Sequence, residues 1–94
     1  MAVEVSSGKP YVEKRDQNRI RRKFYETVAE DELIWHRDRK NRYVKVVESN
    51  GWKFQYDNEL PIDLEEGKTY FVEAMKYHRV LKGQGNLVVE IRED

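Results

Sequence analysis

The chain has 94 residues, which suits one small domain with a modest core. Its 18 basic and 18 acidic residues cancel, so no overall field favours nucleic acid or a membrane surface as a partner. It has no cysteine, which excludes disulfides, zinc–thiolate sites and a cysteine nucleophile. We therefore expect a cytoplasmic protein, and a domain of this size would gain stability as a homodimer.

The first part of the chain is polar and charged rather than periodically hydrophobic. We expect residues 1–21 to form a flexible or arm-like N-terminal segment, because residues 1–9 are mostly small and polar. The stretch 14–23 is dense in charge: Lys14, Arg15, Asp16, Arg19, Arg21, Arg22 and Lys23. Such a run either binds phosphates or forms a solvated turn or edge segment. The zero net charge and the lack of interleaved aromatic residues favour the solvated segment.

From residue 22 onward, short runs of strand-forming residues alternate with polar turns. The predicted strands are 23–28, 33–38, 42–48, 52–57, 68–74 and 86–92, with short extended pieces at 62–64 and 79–81. Ser49-Asn50-Gly51 has the sequence of a tight hairpin turn. No segment has a sustained helical period. The pattern is typical of an all-β sandwich or barrel, whose narrow interior can hold one small ligand or metal ion.

Both histidines of the chain lie in segments that could build a metal site. Side chains alternate between the two faces of a strand, so His36 and Asp38 point to the same side. If His78 lies beside them, two imidazoles and one carboxylate converge, as in non-haem Fe(II) sites with open coordination positions. The alternative is a hydrogen-bonded pair of His36 and Asp38 in the interior, with Arg42 as a further partner of Asp38.

The spacing of these residues resembles that of the cupins, small double-sheet β-barrels of the jelly-roll type. The first cupin motif, His-x-His, then Glu and then Gly, is matched in spacing by His36-Arg37-Asp38, Arg42 and Ser49. The second motif is matched by Gly67, Glu73-Ala74-Met75, His78 and Lys82. The resemblance covers roughly residues 32–94. It implies a single-domain cupin barrel, the double-stranded β-helix, over residues 22–94.

Several residues depart from the cupin pattern. Asp38 replaces the second histidine but still offers a ligand atom. Arg42 replaces the glutamate ligand and cannot bind a metal, because its guanidinium stays protonated. Glu73 and Met75 stand where the second motif has proline and glycine. The resemblance therefore implies a three-ligand site of His36, Asp38 and His78, with Fe(II) favoured over Mn(II), Ni(II) or Zn(II).

Two further residues are candidates for binding a ligand. Arg42, if it points inward, could bind a small anionic molecule in bidentate fashion, and Gln55 could add a contact. The alternative for Arg42 is an internal salt bridge to Asp38 or Glu48. The resulting hypothesis is a small metal-binding cupin with Fe(II) oxygenase-like chemistry on a small anionic molecule. The rival hypotheses are a non-catalytic cupin that binds such a ligand and a dimeric interaction protein with a vestigial site.

Overall fold

The fold is known from a computed structural model that describes residues 4–5 and 9–93. Within these residues, nine β-strands are present: β1 Glu4–Val5, β2 Val12–Asp16, β3 Arg19–Phe24, β4 Arg42–Glu48, β5 Lys53–Tyr56, β6 Ile62–Asp63, β7 Thr69–Val72, β8 His78–Leu81 and β9 Leu87–Glu93. A single turn of 3-10 helix lies at Glu30–Glu32. In this part of the chain, no helix has the length and apolar character needed to cross a bilayer.

The strands form two antiparallel sheets, which confirms the all-β prediction. The large sheet has the order β1-β2-β3-β9-β4-β7, and the small sheet has the order β6-β5-β8. Strands that are distant in sequence, such as β3 and β9 or β5 and β8, are neighbours in space. This order wraps the chain around a common interior, as in a jelly roll.

The core lies between the two sheets and follows the two-residue alternation of the strands. On β3, the inward positions are Ile20, Arg22 and Phe24, while Arg19 and Arg21 are exposed. The buried apolar side chains of the core are Ile20, Phe24, Val28, Leu33, Val46, Trp52, Phe54, Leu64, Val72, Leu87, Val89 and Ile91. Burial of this apolar surface is the main force that holds the two sheets together.

The charged stretch 14–23 is part of the large sheet, which corrects the prediction of an arm over residues 1–21. β2 and β3 pair as an antiparallel hairpin, and β3 pairs along its whole length with β9. Ile20 lies in the core and is 2% exposed, so this segment cannot leave the barrel without opening it. The large sheet therefore includes β1, β2 and β3, all of which lie at or before residue 24. Residues 1–3 and 6–8, which were also predicted to be loose, lie outside the described residues.

Two local predictions are refined by the fold. Segment 33–38 is not a regular strand, because its only ladder contact is the bridge between His36 and His78. The turn at Ser49-Asn50-Gly51 is confirmed, with positive φ at Asn50 (55°) and Gly51 (83°). This turn does not close a two-stranded hairpin, however, because β4 belongs to the large sheet and β5 to the small sheet.

One ion pair is buried between β2 and β3. Glu13 lies opposite Arg22 in the strand register, and Arg22 Nε donates a hydrogen bond of 2.6 Å to Glu13 Oε1. Burial raises the pKa of the Glu13 carboxyl, but the hydrogen bonds and charges of Arg22 and Arg15 lower it more. The net pKa of Glu13 is therefore below its ordinary value of 4.5.

The lowered pKa of Glu13 predicts an acid-sensitive contribution to stability. A carboxyl whose pKa is lower in the folded state stabilises the fold above its unfolded pKa, and this contribution disappears as the pH falls through the folded pKa. We expect Glu13→Gln to be less stable than the wild type at neutral pH, and the difference to shrink as the pH falls below 4.5, the ordinary pKa of this carboxyl. Urea unfolding across this range measures it, with the exposed Glu65→Gln as control. A difference that stayed constant with pH would contradict the prediction.

Candidate metal centre

The backbone brings the two histidines side by side. His36 N donates to His78 O at 3.0 Å, and His78 N donates to His36 O at 2.8 Å. Two residues that exchange both backbone hydrogen bonds lie directly opposite each other on antiparallel strands, and their side chains point to the same face. The two imidazole centroids are 4.4 Å apart in an edge-to-face arrangement.

Asp38 completes the group from the same segment as His36. One potential ligand atom from each of His36, Asp38 and His78 can be chosen so that all three lie within 4.8 Å of one another. His78 is buried, Asp38 is partly buried and His36 is exposed, so the cluster sits at the mouth of the interior. The three residues thus converge as their spacing predicted.

The backbone also favours one tautomer of each histidine. His36 Nδ1 is 3.2 Å from the carbonyl oxygen of Ile34, and His78 Nδ1 is 2.9 Å from that of Lys76. A carbonyl oxygen only accepts hydrogen bonds, so each Nδ1 carries the proton. In the neutral rings, both Nε2 atoms then have a lone pair available for a metal ion.

The surroundings of His36 keep it in the form that binds metals, although its side chain is partly exposed to solvent. Partial removal of the imidazole from water lowers the pKa of His36, and the neighbouring His78 lowers it further. The hydrogen bond to Ile34 and the charge of Asp38 act in the opposite direction but do not cancel the decrease. His36 is therefore neutral at neutral pH, as a metal ligand must be.

The two oxygens of Asp38 have different surroundings. Oδ1 lies 3.1 Å from Arg42 Nη1, and Arg42 is in turn held by Glu93, with Nη2 and Oε2 2.8 Å apart. Oδ2 is buried and has no hydrogen-bond partner among the described residues, although His78 Nε2 lies 3.3 Å away. Burial raises the pKa of the Asp38 carboxyl, but His78 and Arg42 outweigh this effect and the net pKa is lowered. Asp38 is therefore anionic.

These donors fit a divalent cation. The Nε2 lone pair of a neutral His78 would face the anionic Oδ2 of Asp38, which is repulsive without a positive charge between them. A buried carboxylate oxygen without a hydrogen bond carries a desolvation cost that a coordinated cation removes. Two imidazole nitrogens and one carboxylate oxygen are also the ligand types that bind first-row transition metals.

The two predicted ligand-binding residues are engaged with other protein groups. Arg42 points inward and pairs with Asp38 and Glu93, so its salt-bridge alternative describes the geometry, with Glu93 in place of Glu48. Gln55 accepts a hydrogen bond from Arg79 Nε and donates one to the carbonyl oxygen of Glu59. Binding of an anionic ligand by Arg42 or Gln55 stays a prediction.

Similar proteins are found through structure rather than through sequence. No family model matches the chain. No curated protein matches it either. Among solved structures, a cupin-2 domain containing protein from Shewanella frigidimarina aligns with a TM-score of 0.62 and 15% identity, over 86% of this chain and 76% of that one. The chain has the cupin fold.

Two enzymes share this cupin fold. A structure of Fe(II) HppE aligns with a TM-score of 0.71 and 18% identity, over 99% of this chain. A structure from the DMSP lyases RdDddP and RnDddQII aligns with a TM-score of 0.67 and 17% identity, over 80% of this chain. The aligned region spans 55% of the HppE chain and 36% of the DMSP lyase chain. At 17–18% identity, the similarity to these two enzymes shows a shared fold only.

Met75 explains one departure from the cupin pattern. It stands where the second cupin motif has glycine, and its φ of 65° lies in the left-handed region that favours glycine. In this conformation Met75 N donates a hydrogen bond of 2.7 Å to Asp38 O. The strained residue thus fixes the backbone that carries a candidate ligand, which is a common location for strain in proteins.

We expect Met75→Gly to stabilise the protein. The left-handed conformation costs an ordinary residue roughly 1–2 kcal/mol, whereas glycine adopts it freely. Glycine also gives the unfolded chain more freedom, so the expected net gain is roughly 0.5–1 kcal/mol. Met75 is 52% exposed, so little packing is lost. Urea unfolding of Met75→Gly and Met75→Ala gives the test, because alanine keeps the strain. Equal stability of the two variants would rule out backbone strain at this position.

Proposed function

We propose that this cupin binds one divalent metal ion through His36, Asp38 and His78, with Fe(II) as the preferred ion. One observation carries the proposal: two imidazole nitrogens with available lone pairs converge on a buried carboxylate oxygen that lacks a hydrogen bond within the described residues. The fold of Fe(II) HppE, which this chain shares, supports iron as the first choice. Mn(II), Ni(II) and Zn(II) are the rival ions.

The residues around the ligands hold them for this role. The carbonyl oxygens of Ile34 and Lys76 orient the two imidazoles, and such outer partners raise the affinity for a metal ion. Arg42 binds one oxygen of Asp38 and leaves the other oxygen directed toward His78. When bound to three protein ligands, Fe(II) supplies open coordination positions for O₂ and a substrate. We therefore propose oxygenase-like chemistry on a small anionic molecule.

A second candidate function is a metal-free cupin that binds a small anionic ligand. The contact of 3.3 Å between His78 Nε2 and Asp38 Oδ2 favours it, because a protonated His78 could satisfy Asp38 without a metal ion. The homodimer and the cytoplasmic location remain part of both proposals, since the small core and the lack of cysteine fit them.

Elemental analysis of untagged protein, purified without chelators or nickel resin, tests the metal proposal. We expect iron close to one atom per chain, or its uptake when Fe(II) is added anaerobically. The variant His78→Ala should lose this metal, because His78 is the buried ligand. Absence of metal after purification and after Fe(II) addition would refute the proposal and support the metal-free candidate.

A further inference from the structure

The interior contains a charged group that the metal site does not use. Arg22 on β3 and Glu13 on β2 point to the core face and are 8% and 5% exposed. Arginine and glutamate are almost never fully buried unless they are paired. Their positions follow from the hairpin, whose register sets Glu13 directly opposite Arg22.

The described side chains of this group are one carboxylate and two guanidinium groups. Glu13 accepts a hydrogen bond of 2.6 Å from Arg22 Nε and another of 2.9 Å from Arg15 Nε. Within residues 9–93, Glu13 is the only carboxylate in salt-bridge contact with Arg22. Among the side chains that the structure describes, one carboxylate is therefore shared by two guanidinium groups. Arg15 is 53% exposed in its side chain and solvated, whereas Arg22 is not.

The Arg22 guanidinium is held in a fixed orientation. Its central carbon lies 4.2 Å from the centroid of the Tyr11 ring, which itself packs on Phe24 at 5.2 Å. Stacking of this kind fixes the plane of a guanidinium. A guanidinium has five N–H donors, and within residues 9–93 those of Arg22 bond to Glu13 alone. The arrangement suits a planar, bidentate contact with an oxyanion.

Arg22 belongs to the same interior as the histidines. Tyr70 of β7 donates a hydrogen bond of 3.1 Å to the carbonyl oxygen of Asp63 in β6, which places the β7 edge of the large sheet beside the β6 edge of the small sheet. The other end of the small sheet, with β8 and His36, therefore lies on the side of β3. In agreement, the charge of Arg22 is among the causes that lower the pKa of His36.

We propose that Arg22 is the anion-binding residue of this metal site. The substrate class that fits is a small molecule with an oxygen donor at one end, for the metal ion, and a carboxylate or phosphonate at the other end, for Arg22. The inference rests on the proposed metal-binding function and names the residue that selects the substrate. It moves the anion site from Arg42, which Asp38 and Glu93 occupy, to Arg22, whose N–H groups other than Nε–H bond to no group within residues 9–93.

The test is isothermal titration calorimetry on the Zn(II)-loaded full chain, because Zn(II) is not redox-active. The carboxylate probes are glycolate, 3-hydroxypropanoate and 4-hydroxybutanoate, the phosphonate probe is 2-hydroxyethylphosphonate, and 1,3-propanediol is the uncharged control. We expect at least one anionic probe to bind and the diol not to bind. For that probe, Arg22→Met should raise Kd about 10- to 100-fold, the range expected for a lost charge-assisted hydrogen bond.

Arg21→Met is the matched control. Arg21 is the neighbouring residue on β3, points to the outer face and pairs with Glu90, so this variant should leave Kd unchanged. Because Arg22→Met leaves Glu13 with a weaker partner, the double variant Glu13→Gln/Arg22→Met provides a second protein without the buried charges. Circular dichroism and thermal unfolding identify which variants are folded.

The outcomes separate this inference from the metal proposal. If no anionic probe binds with Kd below about 10 mM, or if folded variants without Arg22 bind as the wild type does, the inference is wrong. The zinc content of the same samples tests the metal site independently. If zinc does not bind but an anionic probe still binds in an Arg22-dependent manner, the metal proposal fails and the role of Arg22 stands.

Discussion

Replacement of Asp38 by asparagine is expected to lower the affinity for Fe(II) at least about 100-fold, because loss of a ligand should exceed the 10- to 100-fold effect of losing an outer partner. Asparagine keeps the volume of the side chain, and its amide oxygen can still accept a hydrogen bond from Arg42, which lies 3.1 Å from Oδ1. The change removes the negative charge. When the amide oxygen faces Arg42, the NH₂ group takes the place of Oδ2, and this group donates hydrogen bonds but cannot bind a metal ion.

Anaerobic titration with Fe(II) measures this effect, and circular dichroism shows whether the fold persists. The control is Asp63→Asn, since Asp63 is 70% exposed in its side chain, pairs with Lys53 and is not one of the three candidate ligands. This variant should bind Fe(II) as the wild type does. Full metal occupancy in Asp38→Asn at the same Fe(II) concentration would show that the assignment of the three ligands is wrong.

The metal-site geometry could be predicted because it depends mostly on local rules. His36 and Asp38 are two residues apart, so extended backbone alone places them on one side, and the motif spacing brings in His78. Local rules could not predict how segment 33–38 pairs with the rest of the barrel. Segment 33–38 has the composition of a strand, but pairing requires a neighbour along its length, and only His36 finds one.

Arg22 shows where the sequence was misleading. The charge density of 14–23 indicated a solvated segment, yet Ile20, Arg22 and Phe24 alternate as the inward face of a strand. This alternation was a usable signal for the orientation of Arg22. The partner was harder to predict, because the contact with Glu13 depends on a hairpin register set by a turn at Gln17. Gln17 adopts a positive φ of 52° without being glycine, so the usual turn signal is absent.

For Arg42, the sequence could predict the inward orientation but not both salt-bridge partners. Its position on β4 could be inferred from alternation, and Asp38 was foreseen as one partner. Its second partner is Glu93, which lies opposite Arg42 because β9 pairs with β4. Pairing between strands so distant in sequence is decided by the packing of the whole barrel. A local pattern therefore could not show that Glu93 also holds this guanidinium.

The largest stability effect in the core is expected for Trp52→Ala. Trp52 is 0% exposed, packs against Phe24 with ring centroids 5.5 Å apart, and donates a hydrogen bond of 2.8 Å from Nε1 to Gly85 O. Trp52, which directly precedes β5 of the small sheet, therefore contacts both β3 of the large sheet and the turn before β9. Truncation of a buried tryptophan to alanine costs roughly 3–5 kcal/mol. A domain of this size has a total stability of roughly 5–14 kcal/mol.

Trp35→Ala is the control, because it removes the same side chain from a surface position. Trp35 is 39% exposed and stacks on Arg79 at 4.4 Å, so its loss should cost less than about 1 kcal/mol. Urea unfolding followed by far-ultraviolet circular dichroism compares the two variants without relying on tryptophan fluorescence. Trp52→Phe should fall between them, since it keeps an aromatic ring but loses the bond to Gly85. If Trp52→Ala unfolded at the same urea concentration as Trp35→Ala, Trp52 would not be the contact that joins the two sheets, and the interior that holds His78 and Arg22 would depend on other residues.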